Sequence, residues 1–180
     1  MADGQKYRYG IIGLPAPSWG VTDWYNLPEG RKTLDVSDFE GKVVYLFGFQ
    51  SWCPGCHSHG FPALKQVEKQ FHNNDEVVFI AVQTVFEGFG RNTAEAGAED
   101  VKKFALDIPY GYDAGLDGRH STIMRRYRSG GTPWTVIIDP EGIVQFNGFR
   151  IQAKEATALI DRLLEQAASI SPGAGSTGGG

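Results

Sequence analysis

Two cysteines three positions apart are the residues of this sequence best suited to chemistry. Cys53 and Cys56, in Cys53-Pro54-Gly55-Cys56, are the only cysteines among the 180 residues. A structural disulfide framework normally spreads cysteines along the chain, because closing longer loops constrains the unfolded state more. Two cysteines confined to one C-x-x-C pattern therefore indicate redox chemistry and not cross-linking of the fold.

The cysteines are predicted to lie where a helix begins after a buried strand. Val43 to Phe49 is a continuous apolar run, which is typical of a strand buried on both faces. Pro54 suits the first helical position, because its missing N–H is not needed there, and this places Cys53 at the N-cap. Since a helix N-terminus stabilises a thiolate, we expect Cys53 to attack and Cys56 to resolve the mixed disulfide.

Three neighbours of the cysteines are candidate site residues. Trp52 would offer an apolar contact to a partner protein. If protonated, His57 and His59 would favour the thiolate and make the oxidised form more oxidising, and His59 is a candidate for proton transfer. The alternative interpretation is that both are half-exposed helix histidines without a role.

The segments around the cysteines are predicted to form a strand–helix–strand unit. Apolar residues recur at helical spacing after Cys56, and Pro62 within this segment should kink the helix. A second apolar run, Val77 to Val82, predicts another central strand. Because a helix joins the two strands, we expect them to be parallel with a right-handed crossover. The recurring apolar residues of the helix are Phe61, Leu64, Val67 and Phe71.

The second half of the chain is predicted to add helices and a hairpin to this unit. The sequence Asp139-Pro140-Glu141-Gly142 has Pro and Gly at the positions that a type I turn prefers. Open α/β sheets place their sites at the carboxyl ends of strands, where the cysteines are also expected. The predicted ranges are 86–98 for a loop, about 99–107 and 119–128 for helices, 134–138 and 143–149 for the hairpin strands, and 156–167 for a closing helix.

Taken together, these motifs resemble those of the thioredoxin superfamily, and most closely its TlpA/ResA-like branch, also called the redoxin group. The matching segments cover about residues 15–165 and are more specific in combination than singly. They are Ala16-Pro17-Ser18-Trp19, Asp38-Phe39-Glu40-Gly41-Lys42-Val43-Val44, Ser51-Trp52-Cys53-Pro54-Gly55-Cys56, Phe61-Pro62, Gly131-Thr132-Pro133 and Ile138-Asp139-Pro140-Glu141-Gly142.

The resemblance implies a fold, an activity and a substrate site. The fold would be an α/β thioredoxin fold, a central mixed β-sheet flanked by helices. Pro133 would follow a cis peptide bond with its ring against the active-site disulfide, and the backbone of Thr132 would pair with the bound partner. The activity would be thiol-disulfide exchange with protein partners. In a cytosolic setting, reduction is the default direction, and we expect an upstream electron donor and no cofactor.

Two departures from the family pattern concern the proton-handling group. Thioredoxins proper carry a buried Asp on the strand before the C-x-x-C, and the matching position here is Phe47. Members of the TlpA/ResA-like branch often have Glu shortly after the second cysteine, where this chain has His59 or Gly60.

Two non-redox interpretations of the C-x-x-C remain open. Cys53 to His57 matches C-x-x-C-H, the haem c attachment pattern, although Met124 is the only internal methionine that could serve as an axial ligand. A metal-binding module would use Cys53, Cys56, His57 and His59. Structural zinc sites normally draw their ligands from two segments, which makes four ligands within seven residues hard to arrange.

A peroxidase of the peroxiredoxin type is the rival that shares the fold. It would use one cysteine with a nearby hydroxyl and an arginine. Ser51 could supply the hydroxyl, and the predicted helix 119–128 could supply the arginine. The expected Pro-x-x-x-Thr/Ser-x-x-Cys spacing is absent, because position 46 is Leu and position 50 is Gln.

Composition and length predict one soluble domain with an extension at each end. We expect an N-terminal extension packed on the domain (1–33), a thioredoxin-like domain (34–168) and a disordered Gly/Ser-rich tail (169–180). The net charge of −4 gives no reason to expect nucleic acid or an anionic membrane as partner. Without an apolar run of ~20 residues or a signal segment, we expect no membrane insertion and a cytoplasmic location, or an extracytoplasmic one such as the periplasm if a leader was removed.

Overall fold

Residues 8–170 are described by the computed structural model of the chain. Within these residues, six strands form one mixed sheet and four α-helices flank it. In chain order the strands are β1 (Asp23–Tyr25), β2 (Val43–Phe49), β3 (Val77–Thr84), β4 (Tyr110–Asp113), β5 (Trp134–Ile138) and β6 (Val144–Gly148), and the α-helices are α1 (Phe61–Phe71), α2 (Ala94–Lys103), α3 (Thr122–Arg126) and α4 (Ala153–Ile170). The order across the sheet is β1-β4-β3-β2-β5-β6.

Strand β2 lies inside the sheet and carries the chain to the cysteines. It pairs in parallel with β3, as predicted, and antiparallel with β5. All of its residues are buried. Tyr45 and Phe47 share a core cluster with side chains of α1 and α4, whereas Val44 and Leu46 share another with Ile123 of α3. Because both faces are covered, the strand is apolar at every position.

Residues 8–33 contribute side chains to the core instead of lying apart from it. Trp19 is fully buried in the cluster that contains Leu46, and its Nε1 donates a hydrogen bond to the hydroxyl oxygen of Tyr127 (3.1 Å). Strand β1 pairs with β4 at one edge of the sheet. At the other end of the domain, α4 runs to Ile170, and the rest of the predicted tail, 171–180, lies outside the described residues.

The predicted hairpin is confirmed, because β5 and β6 pair antiparallel. The two helices predicted before it were wrongly bounded. The helix expected at 99–107 begins at Ala94, since the Thr93 hydroxyl accepts a hydrogen bond from the backbone N–H of Ala96 (3.2 Å) and caps the helix. The helix expected at 119–128 is confined to α3, and β4 was not predicted. In the described part of the chain, no helix is long and apolar enough to cross a membrane.

Candidate active site

The two cysteines lie side by side where the helical backbone begins after β2. Their sulfur atoms form a disulfide, and their Cα atoms are 5.3 Å apart. Helical backbone begins at Pro54, so Cys53 directly precedes the first turn. Cys53 is 8% exposed whereas Cys56 is 0% exposed. The backbone N–H of Cys56 points at the sulfur of Cys53, with N···Sγ at 3.2 Å. Cys53 is therefore the more exposed of the two residues, and its sulfur lies where backbone N–H dipoles favour an anion.

A π-helical turn, Cys56–Gly60, connects this first turn to α1. We expected Pro62 to disturb the helix, and the π-helical turn is that disturbance. Pro62 has no N–H to donate to the carbonyl of Ser58, so the regular i→i−4 ladder is interrupted at that point. The wider turn contains both candidate histidines. Their side chains therefore point in directions different from those they would take in a regular α-helix.

The ring of Pro133 lies against the start of this helical segment. The Thr132–Pro133 peptide bond is cis, as the resemblance implies. A Cβ built on Gly55 would lie 3.4 Å from Cδ of Pro133, and one built on Gly60 would lie 2.9 Å from Cβ of Pro133. The two glycines thus let the proline loop approach both turns that follow Cys53.

Phe47 occupies the strand position at which thioredoxins proper carry an acid. Its ring is fully buried and packs on Phe49 (ring centroids 5.8 Å apart) and on Phe61 (5.0 Å). A Cβ on Gly60 would lie only 2.7 Å from Cζ of this ring. The position cannot handle a proton, and the ring also occupies the space next to residue 60.

The candidate histidines point in different directions. His59 is exposed, and its Nδ1 lies 2.7 Å from the hydroxyl oxygen of Ser58. His57 turns inward, so that its Nε2 lies 2.6 Å from the backbone carbonyl oxygen of Ser51 and 3.8 Å from Oδ2 of Asp100 on α2. Asp100 is an acidic group beside the site that we did not predict, because nothing in its local sequence separates it from the other acids of the helix.

Three buried amide side chains hold the loop that carries the cysteines, and these too were not predicted. Gln50, Gln83 and Asn92 are each fully buried. The backbone N–H of Ser51 donates to Oε1 of Gln83 (2.8 Å), and that of Trp52 donates to Oδ1 of Asn92 (3.0 Å). Both donors lie in the two residues before Cys53, so the amides fix the backbone that leads into Cys53. The sequence feature that could have identified these residues is the presence of amide side chains within or near otherwise apolar strands.

Gln50 joins this loop to two others. Its Oε1 accepts hydrogen bonds from the backbone N–H of Phe86 (3.2 Å) and from Nδ2 of Asn92 (3.1 Å). Its Nε2 lies 3.5 Å from the hydroxyl oxygen of Thr132, next to the cis-proline. One buried side chain therefore ties together the cysteine loop, the loop after β3 and the loop before β5.

The surroundings of Cys53 offer apolar surface and a cavity. Trp52 is 44% exposed and lies over Gly88, where a Cβ would be 3.1 Å from its ring. Next to Pro133 there is a cavity of about 720 Å³, which is lined by this proline, the exposed ring of Phe149 and other side chains. The remaining lining residues include His59, Arg150, Lys154 and Tyr45.

The side chains that a metal-binding module would need are not brought together, and two of the arginines considered for a peroxidase are engaged elsewhere. His57 and His59 diverge, and within residues 8–170 no group of three or more His, Cys, Asp or Glu side chains is placed to hold a metal ion. Of the arginines imagined for a peroxidase, Arg126 donates to the carbonyl of Ser18 (2.6 Å), and Arg119 lies over the ring of Phe89 (5.5 Å to the centroid).

A C-x-x-C at a helix start, with its first cysteine more exposed than its second and a cis-proline packed beside it on a thioredoxin fold, defines a thiol-disulfide oxidoreductase of the thioredoxin type. The sequence model of the AhpC/TSA family matches residues 12–147, and the chain belongs to that family. The TlpA/ResA-like resemblance is confirmed by relatives: the thiol-disulfide oxidoreductase ResA of Bacillus cereus is 29% identical over 154 residues, which span 86% of this chain and 77% of ResA. Nucleoredoxin of Danio rerio is 27% identical over 71% of this chain, but over only 28% of its own length.

Solved structures agree with this assignment. The crystal structure of a thioredoxin-like superfamily protein superimposes with a TM-score of 0.75 and 30% identity, covering 84% of this chain and 96% of its own. That of a thiol-disulfide isomerase from Corynebacterium glutamicum gives a TM-score of 0.72 and 28% identity over 83% of this chain and 96% of its own. The predicted fold class and the oxidoreductase activity are therefore confirmed.

Proposed function

We propose that this protein reduces disulfide bonds of partner proteins, with Cys53 as the attacking and Cys56 as the resolving residue. The observation that carries the proposal is the difference in exposure between the two sulfur-bearing residues. Cys53 is reachable from solvent at 8% exposure, whereas Cys56 is fully buried. A disulfide on another protein would approach Cys53 more readily than Cys56, and this difference supports the proposed order of the two steps.

The two steps balance in atoms and electrons. The Cys53 thiolate attacks one sulfur of the partner's disulfide, forms a mixed disulfide and releases the other partner sulfur as a thiolate. The Cys56 thiol then loses its proton and attacks the Cys53 sulfur, which releases the second partner sulfur. The partner gains two electrons, and this protein is left with the Cys53–Cys56 disulfide seen in the structure. An upstream electron donor must return the two electrons before the next cycle.

Three residues are proposed to bind the partner. Trp52, next to the attacking cysteine and 44% exposed, supplies apolar contact area. The backbone of Thr132 is proposed to pair with an extended segment of the partner, since β5 starts only two residues later. The ring of Pro133, which lies against the glycines of the C-x-x-C helix, keeps this segment beside the disulfide.

Reduction is the direction we propose for this protein in a reducing compartment such as the cytosol, where thiols are kept reduced. Related dithiols range from about −270 mV in thioredoxin to about −120 mV in DsbA. Equilibration with glutathione should place the Cys53–Cys56 pair toward the thioredoxin end. A value near that of DsbA would reverse the proposed direction and leave the exchange chemistry in place.

A Cys56→Ser variant should accumulate mixed disulfides with protein partners through Cys53, because the step that releases the partner is blocked. Insulin serves as a defined disulfide substrate, and non-reducing gels with mass spectrometry detect the adduct. The matched control is Cys53→Ser, in which the remaining cysteine is fully buried and should form no adduct. Adducts on the control and none on Cys56→Ser would contradict the assigned roles.

A further inference from the structure

A second cavity, of about 480 Å³, lies beside the loop that leads into the cis-proline. Its charged lining residues are all basic, and no acidic residue of the described part of the chain lines it. The chain as a whole has a net charge of −4, so this cavity is opposite in sign to the protein that carries it. The basic lining residues are Arg8, His120, Arg125 and Arg128, and Tyr9 and Phe86 supply apolar surface.

Two of these basic side chains are not neutralised by a neighbouring carboxylate. Within residues 8–170, neither Arg125 nor Arg128 takes part in an ion pair, and both are exposed. His120 differs from them, because its Nδ1 lies 2.6 Å from Oδ2 of Asp117. The two arginines are therefore the groups of this cavity that can bind an anion.

Arg128 occupies a backbone position that usually favours glycine. It follows α3 with a φ of 52°, in the left-handed region. The N–H of Ser129 donates to the carbonyl oxygen of Met124 (2.9 Å), and the N–H of Arg128 to that of Arg125 (3.3 Å), which is the Schellman ending of a helix. Glycine is preferred there because a Cβ is unfavourable at positive φ. An arginine at this position points to a role for its side chain.

The cavity is continuous with the place where the partner is proposed to bind. Gly130 lines the cavity two residues before Thr132, so the two positions are no more than about 7 Å apart. A Cβ built on Gly130 would lie 3.1 Å from Cδ2 of Tyr9 and 2.9 Å from Cε2 of Phe149. A Cβ built on Gly131 would lie 3.0 Å from the same phenyl ring. Apolar rings thus extend from the cavity to the loop before the cis-proline.

We propose that this cavity binds an acidic segment of the partner protein, a few residues away from the disulfide that is reduced. The inference rests on the proposed function, since the occupant is the substrate of that reaction. Carboxylates of the segment pair with Arg125 and Arg128, whose guanidinium groups can donate two parallel hydrogen bonds to one carboxylate. Apolar side chains of the segment contact Tyr9 and Phe86. Because the rest of the chain is negative on balance, an acidic segment is attracted to this side of the disulfide in preference to others.

Binding can be measured without redox chemistry, on the oxidised full chain. The probes are two peptides of equal length in which serine replaces both cysteines of a disulfide loop, flanked by Glu-Glu pairs in one peptide and by Gln-Gln pairs in the other. In an NMR titration of the isotope-labelled protein, the glutamate peptide should bind about fivefold more tightly. It should also shift the amide signals of Ser129 and Gly130. The preference should disappear at about 0.5 M NaCl, because salt screens exposed charges.

Two single variants test the assigned arginines. Arg125→Gln and Arg128→Gly should each reduce the preference for the glutamate peptide about twofold. Arg128→Gly should not lower the unfolding midpoint, since its backbone position suits glycine. The matched control is Arg162→Gln on α4, an exposed arginine outside the cavity whose loss changes the net charge by the same amount. An equal loss of preference in this control, or an unchanged preference in both cavity variants, would overturn the proposal.

The same two peptides with their cysteines restored and closed into a disulfide connect binding to exchange. We expect kcat/KM for reduction to be about fivefold higher for the glutamate peptide. Equal rates despite unequal binding would overturn the proposal, because the bound segment would then not belong to the substrate. If neither peptide were reduced while the glutamate peptide still bound, the proposed function would fail and the specificity of the cavity for acidic segments would be supported. Displacement of the peptide by inorganic phosphate, but not by NaCl of equal ionic strength, would identify a site for free anions and overturn the proposal.

Discussion

Replacing Gly60 by alanine should lower the free energy of unfolding by about 2–3 kcal/mol and slow disulfide reduction, which makes it one of the most damaging single-methyl additions near the site. The added Cβ would lie 2.7 Å from Cζ of Phe47 and 2.9 Å from Cβ of Pro133. Neither neighbour can yield easily, since Phe47 is fully buried against the rings of Phe49 and Phe61, and Pro133 belongs to the loop beside the disulfide. Denaturant unfolding and insulin reduction measure the two effects.

Gly90→Ala is the matched control for this prediction. Gly90 is exposed, and a Cβ there has no neighbouring atom within 4 Å, so the change should be close to neutral. Equal unfolding midpoints for the Gly60→Ala and Gly90→Ala variants would show that the helix start can move away from Phe47 and Pro133 without cost.

A second variant tests whether the cost arises at Phe47. Phe47→Leu alone should be destabilising, because it removes buried aromatic volume. In the Gly60→Ala background it also makes room for the new methyl group, so the double variant should lose less stability than the sum of the single ones. An additive result would assign the clash to Pro133 alone.

Phe47 and Gly60, one of the two positions considered for the second departure from the family pattern, are packed against each other. From the sequence, the departure at Phe47 and the one at His59 or Gly60 were treated as separate. In the structure Phe47 and Gly60 face each other, and the phenyl ring needs the space that a side chain at position 60 would take. Spacing along the chain could not show this, because the contact joins a strand to a helix.

Local patterns were sufficient wherever the structure is determined locally. The apolar run of β2, the proline after Cys53 and the turn residues of the β5–β6 hairpin each predicted their element. These local patterns failed where a contact between residues distant in the sequence determines the structure. Gly97 was interpreted as part of a loop, but it lies inside α2. The position requires a glycine because a Cβ there would overlap the hydroxyl group of Tyr110, a contact that the local sequence does not show.

The directions of the histidines show the same limit within the site. His57 and His59 are two positions apart on one helical turn, and the sequence favoured His59 for proton handling. In the structure His59 is exposed, and His57 alone faces a buried carboxylate. The difference depends on the π-helical turn and on the position of α2, neither of which the local sequence specifies.

Replacing Gln50 by leucine should have the second large effect, a loss of about 3–4 kcal/mol of unfolding free energy together with strongly reduced exchange activity. Leucine fills the volume but leaves the backbone N–H groups of Phe86 and Glu87 without the oxygen that now lies 3.2 and 3.4 Å away. Nδ2 of the fully buried Asn92 would lose the same oxygen, which now lies 3.1 Å away, and an unpaired buried donor costs about 1–3 kcal/mol. The hydroxyl of Thr132 would also lose its contact with Nε2 of Gln50.

The exchange activity should fall by more than the loss of stability explains, because Gln50 lies between the residues that hold Cys53 and those proposed to hold the partner. Hydrogen exchange should be faster at the amides of Phe86 and Glu87 than in the wild type, even where the protein is folded. Gln70→Leu, on the exposed side of α1, is the control for adding an apolar side chain. If Gln50→Leu matched this control in unfolding midpoint, amide exchange and insulin reduction, the three loops would be held by something other than this amide. Reduced activity with unchanged stability would instead limit its role to orienting the cysteine and cis-proline loops toward each other.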